Sequence, residues 1–430
     1  MNEKKFCACI YLYQGSAVKD LKDHMIVSND PVALATYYCN NYADSIIVFD
    51  QSNTDKEHEA ALNTIREIAL ACEVPVIGAG NIKRMEDVKK LLYAGCAKAV
   101  LNLTKASNIS IVEEAAKRFG KEKIMAAYTK SEELSENKEL LQTYVSELIC
   151  IDEKLITTCH DMLQVPSICH MNLPMEDIQD EIQVLSLSGV SGLTGNVVND
   201  NIEGLFPRKQ QLSDYDIPVI SYRPSLQWSD FKLNSDGMLT VVVQDYRTDQ
   251  VLMVAYMNEE AYQKTVETGR MTYWSRSRNE LWIKGDTSGH YQYVKSLTAD
   301  CDKDTLLAKV AQVGAACHTG SYSCFFNEIL KKEYNDTNPL KVLEQVYDVI
   351  SDRREHPKEG SYTNYLFDMG IDKILKKLGE EATEIIIAAK NTETSEVNYE
   401  ISDFLYHMMV LMVEKGVTWQ EIMTELSNRR

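Results

Sequence analysis

Between Asp300 and Cys324 the chain holds three cysteines and three aspartates: Asp300-Cys301-Asp302-Lys303-Asp304, then Cys317-His318-Thr319-Gly320, then Cys324. Thiolates suit zinc and carboxylates suit magnesium, so the segment offers ligands for one soft and one hard cation side by side. Three protein ligands leave a position on zinc open for water, whose pKa bound zinc lowers to about 7. The chemistry indicated is metal-assisted attack of water on a small molecule. Taken singly, each feature has a plainer reading: cysteine as a small buried hydrophobe, Asp-x-Asp-x-Asp as a solvated turn. Together they favour metal, because Cys317-His318-Thr319-Gly320 makes a poor hydrophobic strand and two aspartates flank Cys301 directly.

A second constellation lies in the last ninety residues. Glu380, Glu381 and Glu384 fall on the helical stretch Ile371–Ala389, with Glu380 and Glu384 one turn apart. Glu400 and Asp403 fall on the next helix at i and i+3, with His407 one turn on. Two antiparallel helices would bring these carboxylates together. Clustered carboxylates repel unless a divalent cation sits among them, and magnesium shared with substrate phosphates is the expected occupant. A solvated acidic face is the alternative. Against it, Ile401, Phe404, Leu405, Met408, Met409 and Leu411 predict a largely buried helix, and buried carboxylates need partners.

The elements that must position these groups divide the chain in three. Residues 1–210 alternate short apolar strands (Phe6–Leu12, Ser45–Phe49, Val74–Ile77, Ala99–Leu101, Ile124–Ala127, Glu147–Ile151, Val165–His170, Gly192–Thr194) with helices such as Asp30–Asn41, His58–Cys72 and Met85–Ala94. Eight strands so interleaved predict a (βα)8 barrel-like α/β domain. A half-barrel repeat is visible: Val74-Pro75-Val76-Ile77, Met85-Glu86-Asp87 and Ala94-Gly95 parallel Val165-Pro166-Ser167-Ile168, Met175-Glu176-Asp177 and Ser188-Gly189. A Pro- and Arg-containing linker is predicted from Phe206 to about Pro224. Residues 225–326 read as a β-rich α+β metal-binding domain, with Leu239–Asp245 and Val251–Tyr256 paired around Arg247-Thr248-Asp249. Further strands are Arg270–Ser275, Leu281–Lys284 and Tyr291–Thr298. Residues 340–430 read as all-α, with helices at Leu340–Arg353, Ile371–Ala389, Glu396–Val413 and Trp419–Ser427.

Composition narrows the function classes. With 430 residues the chain needs more than one core, and 44% hydrophobic with 25% charged residues is an ordinary globular balance. A net charge of −19 argues against general binding to nucleic acid or anionic membranes. No apolar run approaches a membrane span, and Met-Asn-Glu-Lys-Lys opens no signal peptide. The 11 cysteines are therefore expected to be reduced, in cytoplasm. Cys7, Cys9, Cys159-His160 and Cys169-His170 read as packing residues.

These residues carry a family resemblance. Residues 225–326 resemble phosphoribosyl-AMP cyclohydrolase through Tyr273-Trp274-Ser275-Arg276-Ser277-Arg278, Trp282 to His290, the Asp300 run and Cys317-His318-Thr319-Gly320. Residues 340–430 resemble phosphoribosyl-ATP pyrophosphatase through Ser361-Tyr362-Thr363, Lys377 to Glu384, and Glu400 to His407. Together they resemble the bifunctional enzyme of histidine biosynthesis. The resemblance implies that the helical domain hydrolyses phosphoribosyl-ATP to phosphoribosyl-AMP and pyrophosphate. Its site residues would be Glu380, Glu381, Glu384, Glu400 and Asp403, with Mg2+ on Glu381, Glu384, Glu400 and Asp403 and phosphate charge met by Lys377. The central domain would open the adenine ring of phosphoribosyl-AMP, using Zn2+ on Cys301, Cys317 and Cys324, Mg2+ on Asp300, Asp302 and Asp304, and His318 as proton shuttle or orienting residue. Arg276, Arg278, Lys284, Thr287 and Ser288 would contact substrate. A homodimer sharing the zinc site is implied. Asp286 and His290 depart from the commoner Glu and Asn, which bears on substrate contacts and not on the reaction.

Residues 1–210 resemble the isomerase and cyclase barrels of the same pathway through Gln14-Gly15, Asn29-Asp30-Pro31, Phe49-Asp50, Gly78-Ala79-Gly80-Asn81-Ile82 and Gly192-Leu193-Thr194-Gly195. Those barrels use aspartates ending strands 1 and 5 as acid and base. Here Tyr11 and Thr129 (or Tyr128) stand at those positions, and neither accepts a proton near neutral pH. The expectation is a degenerate barrel kept as a scaffold. The competing readings are a general nucleotide pyrophosphohydrolase with a structural zinc module and a metal-stapled binding protein.

Overall fold

The computed structural model describes residues 3–159, 162–172, 177–332, 338–391 and 394–427. Met175 and Glu176 of the half-barrel repeat, and His160, lie outside them.

The first sheet contains β1 (Lys5–Tyr13), β2 (Ser16–Val18), β3 (Ile26–Ser28), β4 (Ser45–Asp50), β5 (Val76–Ala79), β6 (Lys98–Asn102), β7 (Ile124–Tyr128), β8 (Glu147–Cys150), β9 (Ser167–His170) and β10 (Val190–Thr194). β1 and β4 through β10 pair in parallel, and β10 returns to β1 with Phe6 opposite Leu193, closing an eight-stranded barrel as predicted. β2 and β3 extend β1 as an antiparallel hairpin. Alternation sorts the side chains. Cys7, Cys9, Tyr11, Phe49, Ala79, Met125 and Ala127 fill the interior, while Phe6, Ala8, Ile10 and Leu12 lie under the helices. That two-sided burial is why the strands read as continuous apolar runs. Helix starts follow local chemistry: Asp30 caps Pro31–Asn40, and Thr54 with Glu57 forms a capping box for Asp55–Ala71.

One expectation needs correcting here. The segment read as linker begins as the helix Leu205–Asp214, with Leu205, Phe206 and Leu212 buried. Lys209 is also buried and bonds Asp44 at 2.6 Å. Pro207 is tolerated because it sits in the first helical turn.

The central module carries β11 (Leu239–Asp245), β12 (Val251–Met257), β13 (Thr272–Ser275), β14 (Glu280–Ile283), β15 (Gln292–Ala299) and β16 (Thr305–Gln312). The sheet order is β12-β11-β16-β15, with β13–β14 a separate hairpin. β11 and β12 pair as expected, and Arg270 falls just before β13. Two elements went unread: the interior strand β16, and the helix Glu259–Thr268, capped by Asn258 and ended by Gly269.

Residues 1–328 form one compact unit and 329–430 another. The second holds helices Pro339–Glu355, Tyr362–Met369, Ile371–Ala388, Thr394–Lys415 and Trp419–Ser427, of which Tyr362–Met369 was not anticipated. Their core is Ile350, Leu366, Phe367, Ile374, Met409, Val410 and Met412. The helix carrying Glu400 is not largely buried, contrary to its apolar pattern: Ile401 is 40% exposed, and its buried residues begin at His407.

Candidate active sites

β15 delivers the Asp300 loop. Its fold depends on Asp300, whose Oδ1 accepts hydrogen bonds from the backbone of Asp304 at 3.0 Å and Thr305 at 3.2 Å. Lys303 takes the positive φ that the turn requires. Asp300, Asp302 and Asp304 each bring a carboxylate oxygen to within 4.8 Å of the others, all exposed. Lys232, seventy residues away in sequence, meets Asp302 at 3.2 Å.

The Cys317 and Cys324 thiols lie close enough that each shifts the other's titration. Thr319 Oγ1 donates to Cys317 Sγ at 3.2 Å. The Thr319 hydroxyl and backbone hold the Cys317 thiol below its ordinary pKa, while burial and then Cys317 push Cys324 up. Buried Lys284 faces both thiols; burial lowers its pKa, and the thiols oppose that shift. Sequence reading made Lys284 a substrate contact and missed this pairing. Among the described residues no cluster joins Cys301 to the other two thiols; Cys301 is exposed, with Sγ 4.0 Å from Asp302. One chain thus assembles two of the three predicted thiol ligands.

The remaining predicted contacts lie on exposed turns. Arg276 stacks 3.9 Å over the Tyr256 ring, and Arg278 pairs with Glu280 at 3.2 Å. Thr287 and Ser288 follow β14, where Ser288 Oγ accepts from the His290 amide at 3.2 Å. His318 is exposed, with Nδ1 3.9 Å from Cys317 Sγ.

In the helical unit Glu381, Glu384 and Glu400 bring oxygens within 4.8 Å of one another. Glu381 is buried between Lys377 at 3.3 Å and His407 Nδ1 at 3.6 Å. His407 Nδ1 donates to the Asp403 carbonyl at 2.9 Å, and its Nε2 meets the Tyr362 hydroxyl at 3.0 Å. Desolvation and then Glu384 push the Glu400 carboxyl up, the response of crowded anions. Asp403 adds to that charge without joining the cluster. Glu380 turns away, to Lys377 at 2.8 Å and Lys376 at 3.5 Å. The Tyr362–His407 link was missed, since residues 45 apart in sequence leave no spacing signal.

In the barrel, Tyr11 and Thr129 have interior parity, whereas Tyr128 packs under the helices. Tyr11 and His170 are hydrogen bonded at 2.8 Å and both buried. A cavity of about 210 Å³ at the mouth is bordered by Phe49, Gly80, Asn102, Lys105 and Thr129.

Three family profiles match the chain: Histidine biosynthesis protein over residues 5–145, Phosphoribosyl-AMP cyclohydrolase over 253–326, and Phosphoribosyl-ATP pyrophosphohydrolase over 343–430. The Histidine biosynthesis bifunctional protein HisIE of Thermoanaerobacter pseudethanolicus is 53% identical over 209 residues, covering 46% of this chain and 97% of the relative. The chain belongs to the family of bifunctional histidine biosynthesis proteins. The relative of the same description from Lactococcus lactis is 51% identical over 192 residues, 45% of this chain and 88% of its own. That from Bacillus subtilis is 45% identical over 203 residues, 47% of this chain and 96% of its own. The chain is therefore a phosphoribosyl-AMP cyclohydrolase and phosphoribosyl-ATP pyrophosphohydrolase, with a barrel of the histidine-biosynthesis type. Among the described residues no helix is long and apolar enough to cross a membrane.

Proposed function

We propose that the helical domain first cleaves phosphoribosyl-ATP to phosphoribosyl-AMP and pyrophosphate, and that the central module then opens the adenine ring of phosphoribosyl-AMP by hydrolysis. The observation that carries this order of chemistry is the pairing of two unlike donor sets: the carboxylates Glu381, Glu384 and Glu400, and the thiols Cys317 and Cys324 beside Lys284.

The carboxylate set fits magnesium, because three oxygens converge, with the Glu400 carboxyl pushed up by desolvation and then by its neighbours. Magnesium there would draw the triphosphate in and neutralise charge on the departing pyrophosphate. Glu381, fixed by Lys377 and His407, orients the attacking water, and Lys377 faces phosphate. Tyr362 fixes the His407 ring.

The thiol set fits zinc, with Cys301 of a second copy completing it. Zinc would supply Lewis acidity at the ring carbon. Lys284 holds negative charge on the thiol pair, His318 moves a proton at the ring nitrogen, and Arg276, Arg278, Thr287 and Ser288 hold the phosphoribosyl group. Asp300, Asp302 and Asp304 would hold a second magnesium. A homodimer follows from this sharing. Exposed Ile386, Ile387, Tyr399 and Ile401 give the helical unit an apolar face for a second copy as well.

The barrel serves as a scaffold without isomerase or cyclase activity, since buried Tyr11 and His170 take up the position where a proton acceptor would work. Direct supply of phosphoribosyl-AMP tests the reading against a general nucleotide pyrophosphohydrolase. Ring opening supports it; cleavage of assorted nucleoside triphosphates with no ring opening overturns it.

A further inference from the structure

β15 ends at Ala299, and the Asp300 loop follows without a spacer. Near its start the strand bulges. Val294 opposes Val310 and Ser296 opposes Lys309, which leaves Lys295 as the extra residue. Bulges re-aim side chains, and Lys295 is aimed at the barrel, where its Nζ meets Glu73 at 2.8 Å.

One residue earlier the barrel grips the backbone itself. The Tyr42 hydroxyl donates a shared hydrogen bond to the carbonyls of Val294 at 2.8 Å and Gly269 at 2.9 Å. The Gly269 carbonyl also accepts from the Val294 amide at 2.8 Å. Tyr42 therefore closes the joint between the helix Glu259–Thr268 and β15. Burial pushes its phenol well up, so it stays protonated and donating. The fit is close: Gly269 has φ +70°, and a Cβ there would lie 2.5 Å from the Tyr42 oxygen. Tyr42 itself holds φ +69°, a conformation costly for a bulky residue and kept only where surroundings enforce it. Tyr42, Glu73, Val294 and Lys295 border a cavity of about 590 Å³ that continues along the strand past Ser296, Leu297 and Ala299. β16 pairs one edge of β15 as far as Ala299 opposite Leu306, and the barrel's contacts with β15 are made at Val294 and Lys295.

We propose that Tyr42 and Glu73 of the barrel are positioning residues for ring opening: they fix β15, and through it Asp300 and Cys301. The inference rests on the reading that the Asp300 loop serves the cyclohydrolase reaction. A barrel with no reaction of its own thereby remains part of its neighbour's catalytic geometry.

The test is steady-state kinetics on the full chain and on Tyr42→Phe, with phosphoribosyl-AMP supplied directly. Cleavage of phosphoribosyl-ATP serves as internal control. Small misplacements remote from the chemistry cost rate, so kcat for ring opening falls roughly tenfold to a hundredfold while KM stays within about twofold. Phosphoribosyl-ATP cleavage is unchanged. Glu73→Gln gives the same kcat-selective loss, and adding Lys295→Met to it costs nothing more, because Lys295 acts through Glu73. A lowered Tm with unchanged ring-opening kinetics in both variants makes the joint merely structural and overturns the proposal, as does a rise in KM alone. Failure of the unmodified chain to open the ring refutes the underlying reading, and the inference with it.

Discussion

Tyr11 and His170 share a buried hydrogen bond of 2.8 Å across the mouth of the barrel. Tyr11 lies two residues before the end of β1 and His170 ends β9, and Phe49 stacks on Tyr11 with ring centroids 5.4 Å apart. Burial lowers the His170 pKa to about 4, so its ring is neutral. Its Nδ1 has no hydrogen-bond partner among the described residues. The pair packs the barrel top as a neutral plug. Tyr11→Phe would strand a buried ring nitrogen, at a cost of about 1–3 kcal/mol in stability. Chemical denaturation should show that loss, while both hydrolytic rates stay at the unmodified level. A loss of either rate without loss of stability would contradict a structural role.

A second buried pair gives a pH signature. His58 Nδ1 bonds Asp50 at 2.5 Å. Burial alone would raise the Asp50 carboxyl, but hydrogen bonds from His58 and Ser52 outweigh it and hold the carboxyl below its ordinary range. The hydrogen bond to Asp50 raises His58 against desolvation, with Asp87 and Glu59 adding in the same direction. The depressed Asp50 contributes stability above about pH 4, lost as pH falls through its folded pKa; the raised His58 contributes below about pH 6.5, lost as pH rises through its folded pKa. The two windows overlap near pH 5. The Tm difference between the unmodified chain and His58→Gln should be largest there, equivalent to roughly 2 kcal/mol, and should shrink toward pH 9. A pH-independent difference would show that the pair is not ionised.

Glu381 is the most buried carboxylate of the helical cluster, and its partners Lys377 and His407 fix its orientation. Glu381→Gln keeps the shape and removes the charge. Phosphoribosyl-ATP cleavage should fall by roughly a hundredfold or more, with ring opening of supplied phosphoribosyl-AMP unaffected. His407→Asn should fall less, because it acts on Glu381 from outside. Equal loss in both reactions would mean global unfolding.

Chelation separates the two sites in another way. Titrating EDTA against magnesium-replete chain should stop phosphoribosyl-ATP cleavage, and magnesium alone should restore it. Ring opening should need zinc as well. Full activity of both reactions after exhaustive chelation and dialysis would remove the metals from the scheme.

The barrel was legible because parallel strands buried on both faces leave unbroken apolar runs, as in Ile46-Ile47-Val48. What was lost lay where tertiary contacts decide. Leu205–Asp214 reads as a linker through Pro207 and Arg208, and the Asp44 carboxylate and Tyr42 carbonyl, far away in sequence, account for buried Lys209. β16 did show alternation, with Leu306, Ala308 and Val310 buried, but beside the metal motif it went unread. The three cysteines were identifiable by type. Their spacing carries no sign that one chain joins Cys317 to Cys324 and leaves Cys301 apart. The apolar pattern around Ile401 overstated burial, because an apolar face left exposed on a helix reads the same as a core face.

The most direct measurement is product analysis from phosphoribosyl-ATP with magnesium and zinc, following the ring-opened product by absorbance, for the unmodified chain and Cys301→Ser. The expected result is ring-opened product from the first, and pyrophosphate with accumulating phosphoribosyl-AMP from the second. Ring opening by Cys301→Ser at the unmodified rate, or an unmodified chain that stops at phosphoribosyl-AMP, would contradict a two-step hydrolase with a thiol-held metal.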